Sequence, residues 1–276
     1  MTALAQHWVK LLPRGATLPQ LFTVQDLGLC VVKFLENPQG PRGLPNELIG
    51  FELANLLGLE HPPVGVVNVP AYCLPHDGQL DFVEYGIYGG ERFVFKAGLA
   101  FYSVWLDPKD EVVAEDIKGV SSAANPEMLA GVVLLDLLLG NKDRKPRNSN
   151  LILHRERGRQ RLKLIDLGMA FGSAVWDLGD LQQSALPPIT EPLPYSSPPI
   201  GLLDSVNPLT DFTPFLVKLA SVDRPAVQAI VDRVPQPWGL NDQHRAALIN
   251  YIVHRAQALP AYMKTRLSSK TKKWWQ

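Results

Sequence analysis

Residues 134–168 of the chain read LLDLLLGNKDRKPRNSNLILHRERGRQRLKLIDLG. An apolar run ends at Gly140, and a polar loop that contains Asp143 and Asn148 follows it. Two short β-like runs then lead to Asp166, the first residue of an Asp-Leu-Gly triplet. Nucleotide-bound Mg²⁺ needs oxygen ligands from carboxylate and amide groups, and an attacking hydroxyl needs a separate carboxylate to orient it. Asp143, Asn148 and Asp166 together predict a phosphoryl-transfer site.

The spacing within this stretch is typical of protein kinases. Asp143 and Asn148 are five positions apart, as in the kinase catalytic loop, and Asp166 opens the triplet that stands where kinases carry Asp-Phe-Gly. Taken singly, these features are more often a loop carboxylate, an amide that caps a turn, and a turn between two elements. Their order, and the predicted β-hairpin between them, favour the catalytic interpretation.

Length and composition limit the possible classes of protein. With 276 residues the chain can form one large domain or two lobes, and a hydrophobic content of 46% supports a buried core. Lys plus Arg and Asp plus Glu balance at 27 each, so no overall charge favours a nucleic-acid or membrane partner. The 2 cysteines form neither a disulfide framework nor a four-ligand zinc site, which favours a reducing compartment.

The start of the chain carries no recognisable targeting signal. Its opening residues, MTALAQHWVKLLPRG, lack the apolar stretch of a signal peptide. No run anywhere approaches about eighteen apolar residues, the length of a membrane-spanning helix. We therefore expect a cytoplasmic protein with no membrane partner.

The N-terminal third contains a candidate lysine–glutamate pair. Residues 21–35 predict a hairpin whose second strand carries Lys33, which either faces solvent or reaches the α- and β-phosphates of ATP. The segment NELIGFELANLLGL has apolar residues at helical spacing, with Asn46 as an N-cap and Glu47 in the first turn. Glu47 either complements the helix dipole or pairs with Lys33. The downstream motif favours the pair.

The remaining patterns predict two lobes. Residues 62–72 and 80–95 alternate turn residues with β-rich runs, so residues 1–95 are predicted to form a small nucleotide-binding lobe. Residues 96–106, KAGLAFYSVWL, are assigned to the hinge and adenine pocket by their order along the chain. Residues 107–276 predict a larger helical catalytic lobe, in which a buried helix from Pro126 to Gly140 positions the catalytic loop. The expected fold is therefore α+β and protein-kinase-like.

Several segments between about residue 14 and residue 175 form a family pattern: RGATLPQLF, CVVKF, the block from NPQG to NELIGFELANLLGL, AGLAFYS, GNKDRKPRNSNLIL and LIDLGMAF. Through these segments the chain resembles the HipA-like kinase family, in particular its compact single-domain branch. The resemblance implies a two-lobed kinase fold, ATP and Mg²⁺ as cofactors, and phosphorylation of Ser or Thr.

The resemblance also implies a role for each candidate residue. Lys33 would hold phosphate, and Glu47 would orient Lys33. Asp143 would orient the acceptor hydroxyl, whereas Asn148 and Asp166 would bind Mg²⁺.

Two features depart from the kinase pattern. No Gly-x-Gly-x-x-Gly precedes Lys33, so the phosphates would be covered by backbone amides near Arg14, Gly15, Ala16 and Thr17. No Ala-Pro-Glu follows the Asp-Leu-Gly triplet, which leaves the mode of peptide binding open. Asn150 is a second candidate metal ligand in the catalytic loop.

Three functions are compatible with these patterns. The leading one is an ATP- and Mg²⁺-dependent phosphotransferase that acts on a protein Ser or Thr hydroxyl. The second is a small-molecule or lipid kinase, since antibiotic and phosphoinositide kinases share the same order of Asp, Asn and Asp. The third is a pseudokinase or toxin–antitoxin-type interaction module that binds nucleotide without turnover, against which the intact set of site residues argues.

Residues 142–163 are rich in Lys and Arg. One interpretation is a solvated hairpin, because charge runs usually face water. The other assigns residues 144–147 to a positive field at the γ-phosphate and residues 155–161 to docking of an acidic or nucleic-acid-associated partner.

Overall fold

The computed structural model describes residues 2–12, 15–75, 79–81, 92–106, 117–144, 148–189, 206–207 and 210–268. Arg14 and residues 145–147 lie outside these ranges, so the predicted phosphate loop and the first basic cluster are described in part. The described chain has a β-rich N-terminal part and a helical C-terminal part, which confirms the α+β fold class.

A closed barrel forms the N-terminal part. The strands of this part are β1 (Ala3–Leu11), β2 (Gln20–Val24), β3 (Gly28–Lys33), β4 (Val64–Val69), β5 (Gln79–Asp81), β6 (Arg92–Val94) and β7 (Gly98–Val104). The barrel order is β1-β2-β3-β7-β4, and a parallel pairing of β1 with β4 closes it, whereas β5 and β6 pair as a separate two-stranded antiparallel sheet. Successive residues of a strand face opposite sides, so Val32 packs inside the barrel and Lys33 points out of it.

Strand β7 occupies most of the segment 96–106, which we predicted as the hinge. It pairs with both β3 and β4, and its small and aromatic residues suit a strand between two neighbours. Phe101 of β7 stacks on Phe51 with ring centroids 5.9 Å apart. Residues 98–104 of the predicted hinge therefore form a strand of the barrel.

Helix α1 (Gly43–Leu57) begins earlier than the sequence pattern suggested. Its N-cap is Arg42, and Pro45 fits the first turn because the missing N–H has no partner there in any helix. Asn46 is therefore a buried helical residue and not the predicted N-cap. Glu47 lies beyond the first turn, so the helix dipole does not explain it.

The helical part is built around one fully buried helix. The remaining elements are α2 (Ile117–Ser121), α3 (Met128–Leu139), β8 (Leu151–Glu156), β9 (Arg159–Leu164), α4 (Leu178–Gln182), α5 (Thr213–Leu219), α6 (Arg224–Asp232) and α7 (Asp242–Leu267). Every residue of α3 is buried, as its apolar sequence predicts. Gly140 ends α3 with φ 61°, and a Cβ there would collide with the Tyr251 hydroxyl. Among the described helices, none has the length and apolar character needed to cross a bilayer.

Candidate active site

Lys33, Glu47 and Asp166 form one contact group. Lys33 Nζ donates to Glu47 Oε1 and lies 3.0 Å from Asp166 Oδ2. The Glu47 side chain is 1% exposed and that of Asp166 is 36% exposed, so Asp166 presents the accessible carboxylate of the group. Strand β3 supplies the lysine, helix α1 the glutamate, and the chain after β9 the aspartate.

The backbone around Asp166 is shaped to hold this group. Asp166 has φ 54°, an uncommon conformation for a residue with a side chain, and its Oδ1 accepts from Gly168 N at 3.3 Å. Glu47 Oε2 accepts from Leu167 N at 2.9 Å. Helix α1 approaches so closely that a Cβ on Gly50 would lie 2.8 Å from the Leu167 side chain. Sparsely populated backbone conformations of this kind cluster at functional sites.

Electrostatics fix the charges within the group. Burial disfavours the cation of Lys33, but Asp166 and Glu47 outweigh burial and raise the pKa of Lys33. Burial also opposes ionisation of Asp166, yet Lys33 lowers its pKa below the usual value. Burial raises the pKa of Glu47 against the attraction of Lys33. At neutral pH the group therefore presents a protonated lysine and an ionised Asp166.

Asp143 lies among three asparagine side chains. Its Oδ2 accepts from Asn148 Nδ2 at 3.1 Å and from Asn150 Nδ2 at 3.3 Å, and its backbone N–H donates to Asn141 Oδ1 at 3.1 Å. An amide that donates through Nδ2 retains Oδ1 as a ligand for a cation. Asn150 O also accepts from Ile165 N at 3.0 Å, which ties the catalytic loop to the residue before Asp166.

A buried network that the sequence did not reveal supports this loop. Asp136 of α3 accepts from Arg144 Nε at 2.6 Å and from Asn141 Nδ2 at 2.8 Å. Arg144 also donates to the carbonyls of Ser149 and Asn150. Arg144 is 1% exposed and is paired with Asp136, so it stabilises the loop from inside the protein. Our prediction that Arg144 contributes a positive field at the γ-phosphate is therefore wrong. A lone Asp inside the apolar run LLDLLL was the available signal, because buried carboxylates are almost always paired.

Asn46 connects α1 to the segment that follows the Asp-Leu-Gly triplet. The residue is fully buried, and its Nδ2 lies 2.8 Å from Gly168 O, 2.9 Å from Ala170 O and 3.0 Å from Ser173 O. Its Oδ1 accepts from Trp176 Nε1 at 2.8 Å. Because Glu47 is the next residue along α1, these bonds also fix the position of the carboxylate that contacts Lys33.

We expect Asn46→Leu to lower the free energy of unfolding by roughly 2–4 kcal/mol, because the carbonyls and the Trp176 indole lose a buried partner. Urea unfolding measures this change. Trp176→Phe removes the indole N–H together with part of the buried ring, so it should also lower the free energy of unfolding. Equal stability of Asn46→Leu and the parent protein would show that the network is not needed for the fold.

A cavity of about 180 Å³ lies beside the lysine group. It is lined by Gly15, Pro19, Val31, Lys33, Glu47, Phe51, Pro62, Phe101, Ser103, Val104, Trp105, Leu106, Ile152, Ile165 and Asp166. Both parts of the molecule contribute walls, which are mostly apolar with charged groups at one end. Such a cavity fits a planar base against the apolar walls and phosphates near Lys33.

The predicted phosphate-covering residues differ in placement. Gly15 lines the cavity and has φ 119°, a conformation that favours glycine. Ala16 and Thr17 follow in a turn closed by a bond from Leu18 N to Gly15 O at 3.0 Å. Thr17 is buried, which suits the role of a turn hydroxyl.

The donor set also fits Mg²⁺. Among the described residues, no three His, Cys, Asp or Glu side chains cluster into a ready-made metal site. Mg²⁺ in nucleotide sites is commonly held by one or two carboxylates together with phosphates and water. Asp166, with the amide oxygens of Asn148 and Asn150, matches that kind of site.

The arrangement is that of a protein-kinase-like fold, and comparison with solved structures agrees. The chain is similar to the Helicobacter pylori proinflammatory kinase CtkA, with 14% identity, a TM-score of 0.58, and coverage of 99% of this chain and 100% of that one. It is also similar to a golgi casein kinase, with 13% identity, a TM-score of 0.50, and coverage of 99% of this chain and 75% of that one. At these identities the similarity defines the fold alone.

A weaker similarity reaches a toxin–antitoxin protein. HipA of Shewanella oneidensis MR-1, in complex with HipB and operator DNA, matches with 10% identity and a TM-score of 0.47 over 91% of this chain and 62% of that one. A score this low supports no conclusion. No protein-family model matches the chain, and no curated protein matches it. The kinase-like fold is thus confirmed, and the HipA-like resemblance stays a prediction.

Proposed function

We propose that the protein is an ATP- and Mg²⁺-dependent phosphotransferase that phosphorylates a Ser or Thr hydroxyl of a protein in the cytoplasm. The observation that carries the proposal is the contact of Lys33 with both Glu47 and Asp166 at the charged end of an apolar cavity. Phosphoryl transfer depends mainly on positioning and on compensation of phosphate charge, and this group offers both.

Each residue has a defined part in the proposed reaction. Lys33 binds phosphate oxygens, and Glu47 keeps the ammonium group aimed at the cavity. Asn148 and Asp166 would hold Mg²⁺, with Asn150 as a further ligand; when bound, the ion compensates phosphate charge. Asp143 accepts a hydrogen bond from the acceptor hydroxyl and orients its oxygen, because a loose transition state needs an ordinary alcohol in position more than a strong base.

One incubation tests the proposal. The purified protein is mixed with γ-labelled ATP, MgCl₂ and a cell lysate, which is then separated into proteins, lipids and small molecules. We expect label on protein Ser or Thr, and no label when EDTA is added. Label only on an extracted metabolite or lipid would identify a small-molecule or lipid kinase, and nucleotide binding without any transfer would identify a pseudokinase.

Lys33 and Glu47 are expected to act as a unit. Lys33→Met and Glu47→Gln should each lower kcat/KM, because either change removes the ion pair that aims the ammonium group. The double variant should be little worse than the single ones, with a coupling free energy of about 1–3 kcal/mol. Steady-state kinetics of the three variants give this value, and losses that multiply independently would contradict the pair.

The tip of the β8–β9 hairpin is the partner surface in this proposal. Arg161 and Lys163 lie against Glu60, and the hydrogen bond from Arg161 leads the effects that lower the pKa of Glu60 to about 2. The side chains of three exposed arginines of the tip make no hydrogen bond or ion pair with any described residue: Arg155, Arg157 and Arg159. These three, rather than the whole range 155–161, are the groups we assign to docking an acidic or nucleic-acid-associated substrate.

A further inference from the structure

A second recess, of about 490 Å³, adjoins the catalytic loop and shares none of its described lining residues with the nucleotide cavity. Its walls include Gly140, Asn141 and Lys142 of the loop and residues 171–173, which follow the Asp-Leu-Gly triplet. Asn141 accepts a hydrogen bond from the backbone of Asp143. A ligand in this recess would therefore leave the nucleotide cavity open and lie next to the loop that orients the acceptor.

Arg255 of α7 brings an uncompensated cation to this recess. The residue is 5% exposed, yet it forms no ion pair with any described carboxylate. Its Nε donates to Leu137 O at 2.8 Å, its Nη1 donates to Ala185 O at 2.9 Å, and its guanidinium lies over the Tyr251 ring at 5.0 Å. The same side chain has no described hydrogen-bond acceptor for Nη2. Buried charges are normally paired, so an N–H edge with no partner among the described residues is suited to an anion.

The other charges of the recess leave it positive. Lys142 is exposed and makes no contact with a described acidic group. Asp136 is already neutralised by Arg144, and Asp180 accepts from Asp177 N at 3.0 Å in the cap of α4. Two cations, Lys142 and Arg255, thus face one anion, Asp180, which is engaged in its own helix.

We propose that this recess binds an anionic group of the acceptor, a carboxylate or a phosphate that lies near the hydroxyl to be phosphorylated. The inference rests on the proposed function and names a preference of that site. A guanidinium edge suits carboxylate and phosphate oxygens, and Lys142 adds a second positive charge at the mouth. Hydrogen bonds to Leu137 of α3 and to Ala185 explain Nε and Nη1 of Arg255, but they give no role to Nη2 or to Lys142 within the described part of the chain.

The test uses a library of Ser-containing peptides in which each flanking position is in turn Ala, Glu, phosphoserine or Lys. We expect kcat/KM to rise about tenfold for Glu or phosphoserine over Ala at one flanking position, and to fall for Lys. The comparison of Glu with phosphoserine identifies which anion the recess prefers. The preference should weaken as NaCl is raised, because part of it is electrostatic.

Two variants and one matched control locate the effect. Lys142→Ala and Arg255→Gln should each remove most of the preference while leaving kcat/KM for the Ala peptide within about threefold. Arg245→Gln is the control, because Arg245 lies on the same helix and also donates to backbone carbonyls, those of Val231 and Val234, but does not line the recess. Lys142 is exposed, so its variant decides the matter even if Arg255→Gln fails to fold.

A binding arm separates this inference from the proposed function. Titration calorimetry measures the affinity of the parent protein and of the Lys142→Ala variant for inorganic phosphate and for a phosphoserine peptide. If peptides are phosphorylated with no preference for acidic residues, the proposed anion site is wrong, whereas the proposed kinase function is supported. If no peptide is phosphorylated, phosphate binding that weakens in Lys142→Ala still supports the recess, and equal or absent binding overturns it.

Discussion

Asp166→Asn should lower the rate of phosphotransfer by about a thousandfold or more and weaken binding of the Mg²⁺–nucleotide complex. In the group around Lys33 the Glu47 carboxylate is buried, so Asp166 is the carboxylate that a metal ion can reach. Its substitution removes a charge where phosphate charge must be compensated, and a loss of several kcal/mol in transition-state stabilisation corresponds to this factor. The fold should survive, because Lys33 keeps its contact with Glu47.

The measurement pairs this variant with Asp232→Asn, which changes an exposed helical aspartate far along the chain from the site motifs. Both proteins are melted to establish folding, and then assayed for turnover and for nucleotide affinity with and without MgCl₂. The control should match the parent protein in every assay. Undiminished turnover by a folded Asp166→Asn protein would remove Asp166 from the site.

The elements that the sequence predicted best are those whose pattern is local and regular. The uninterrupted apolar run before Gly140 fits a buried helix, and the β8–β9 hairpin follows from two β-like runs around the Arg157–Gly158 turn. Strand β1 was missed. Register shifts between Ala5 and His7 and between Trp8 and Lys10 break its two-residue period, so the alternation that marks a strand is absent from the sequence.

The candidate site was predictable to the extent that its chemistry dictates residue types at fixed spacing. Asn46 is a residue whose role the local sequence could not predict. An Asn before an amphipathic segment has the local appearance of an N-cap, and the partners that explain it, Gly168 and Trp176, are distant in sequence. Arg144 was misassigned for a related reason: its place within a basic run suggested solvent, whereas Asp136 draws it into the core.

Asp143→Asn should remove most phosphotransfer, by roughly a hundredfold to ten-thousandfold, while nucleotide affinity stays within a few-fold of the parent value. Asp143 is not among the described residues that line the nucleotide cavity, and its side chain accepts from the amides of Asn148 and Asn150. An Asn in its place still offers one amide oxygen to these donors, so the loop keeps its shape. What disappears is the charged oxygen that orients the acceptor hydroxyl.

The comparison of the two variants is the informative result, because Asp166→Asn affects binding of the Mg²⁺–nucleotide complex and Asp143→Asn affects orientation of the acceptor hydroxyl. Calorimetry with a Mg²⁺–nucleotide complex should register the loss for Asp166→Asn and almost none for Asp143→Asn, although turnover falls in both. Loss of nucleotide binding in a folded Asp143→Asn protein would mean that the two roles are exchanged. The acceptor would then be oriented from the Asp166 side, where the accessible carboxylate already contacts Lys33.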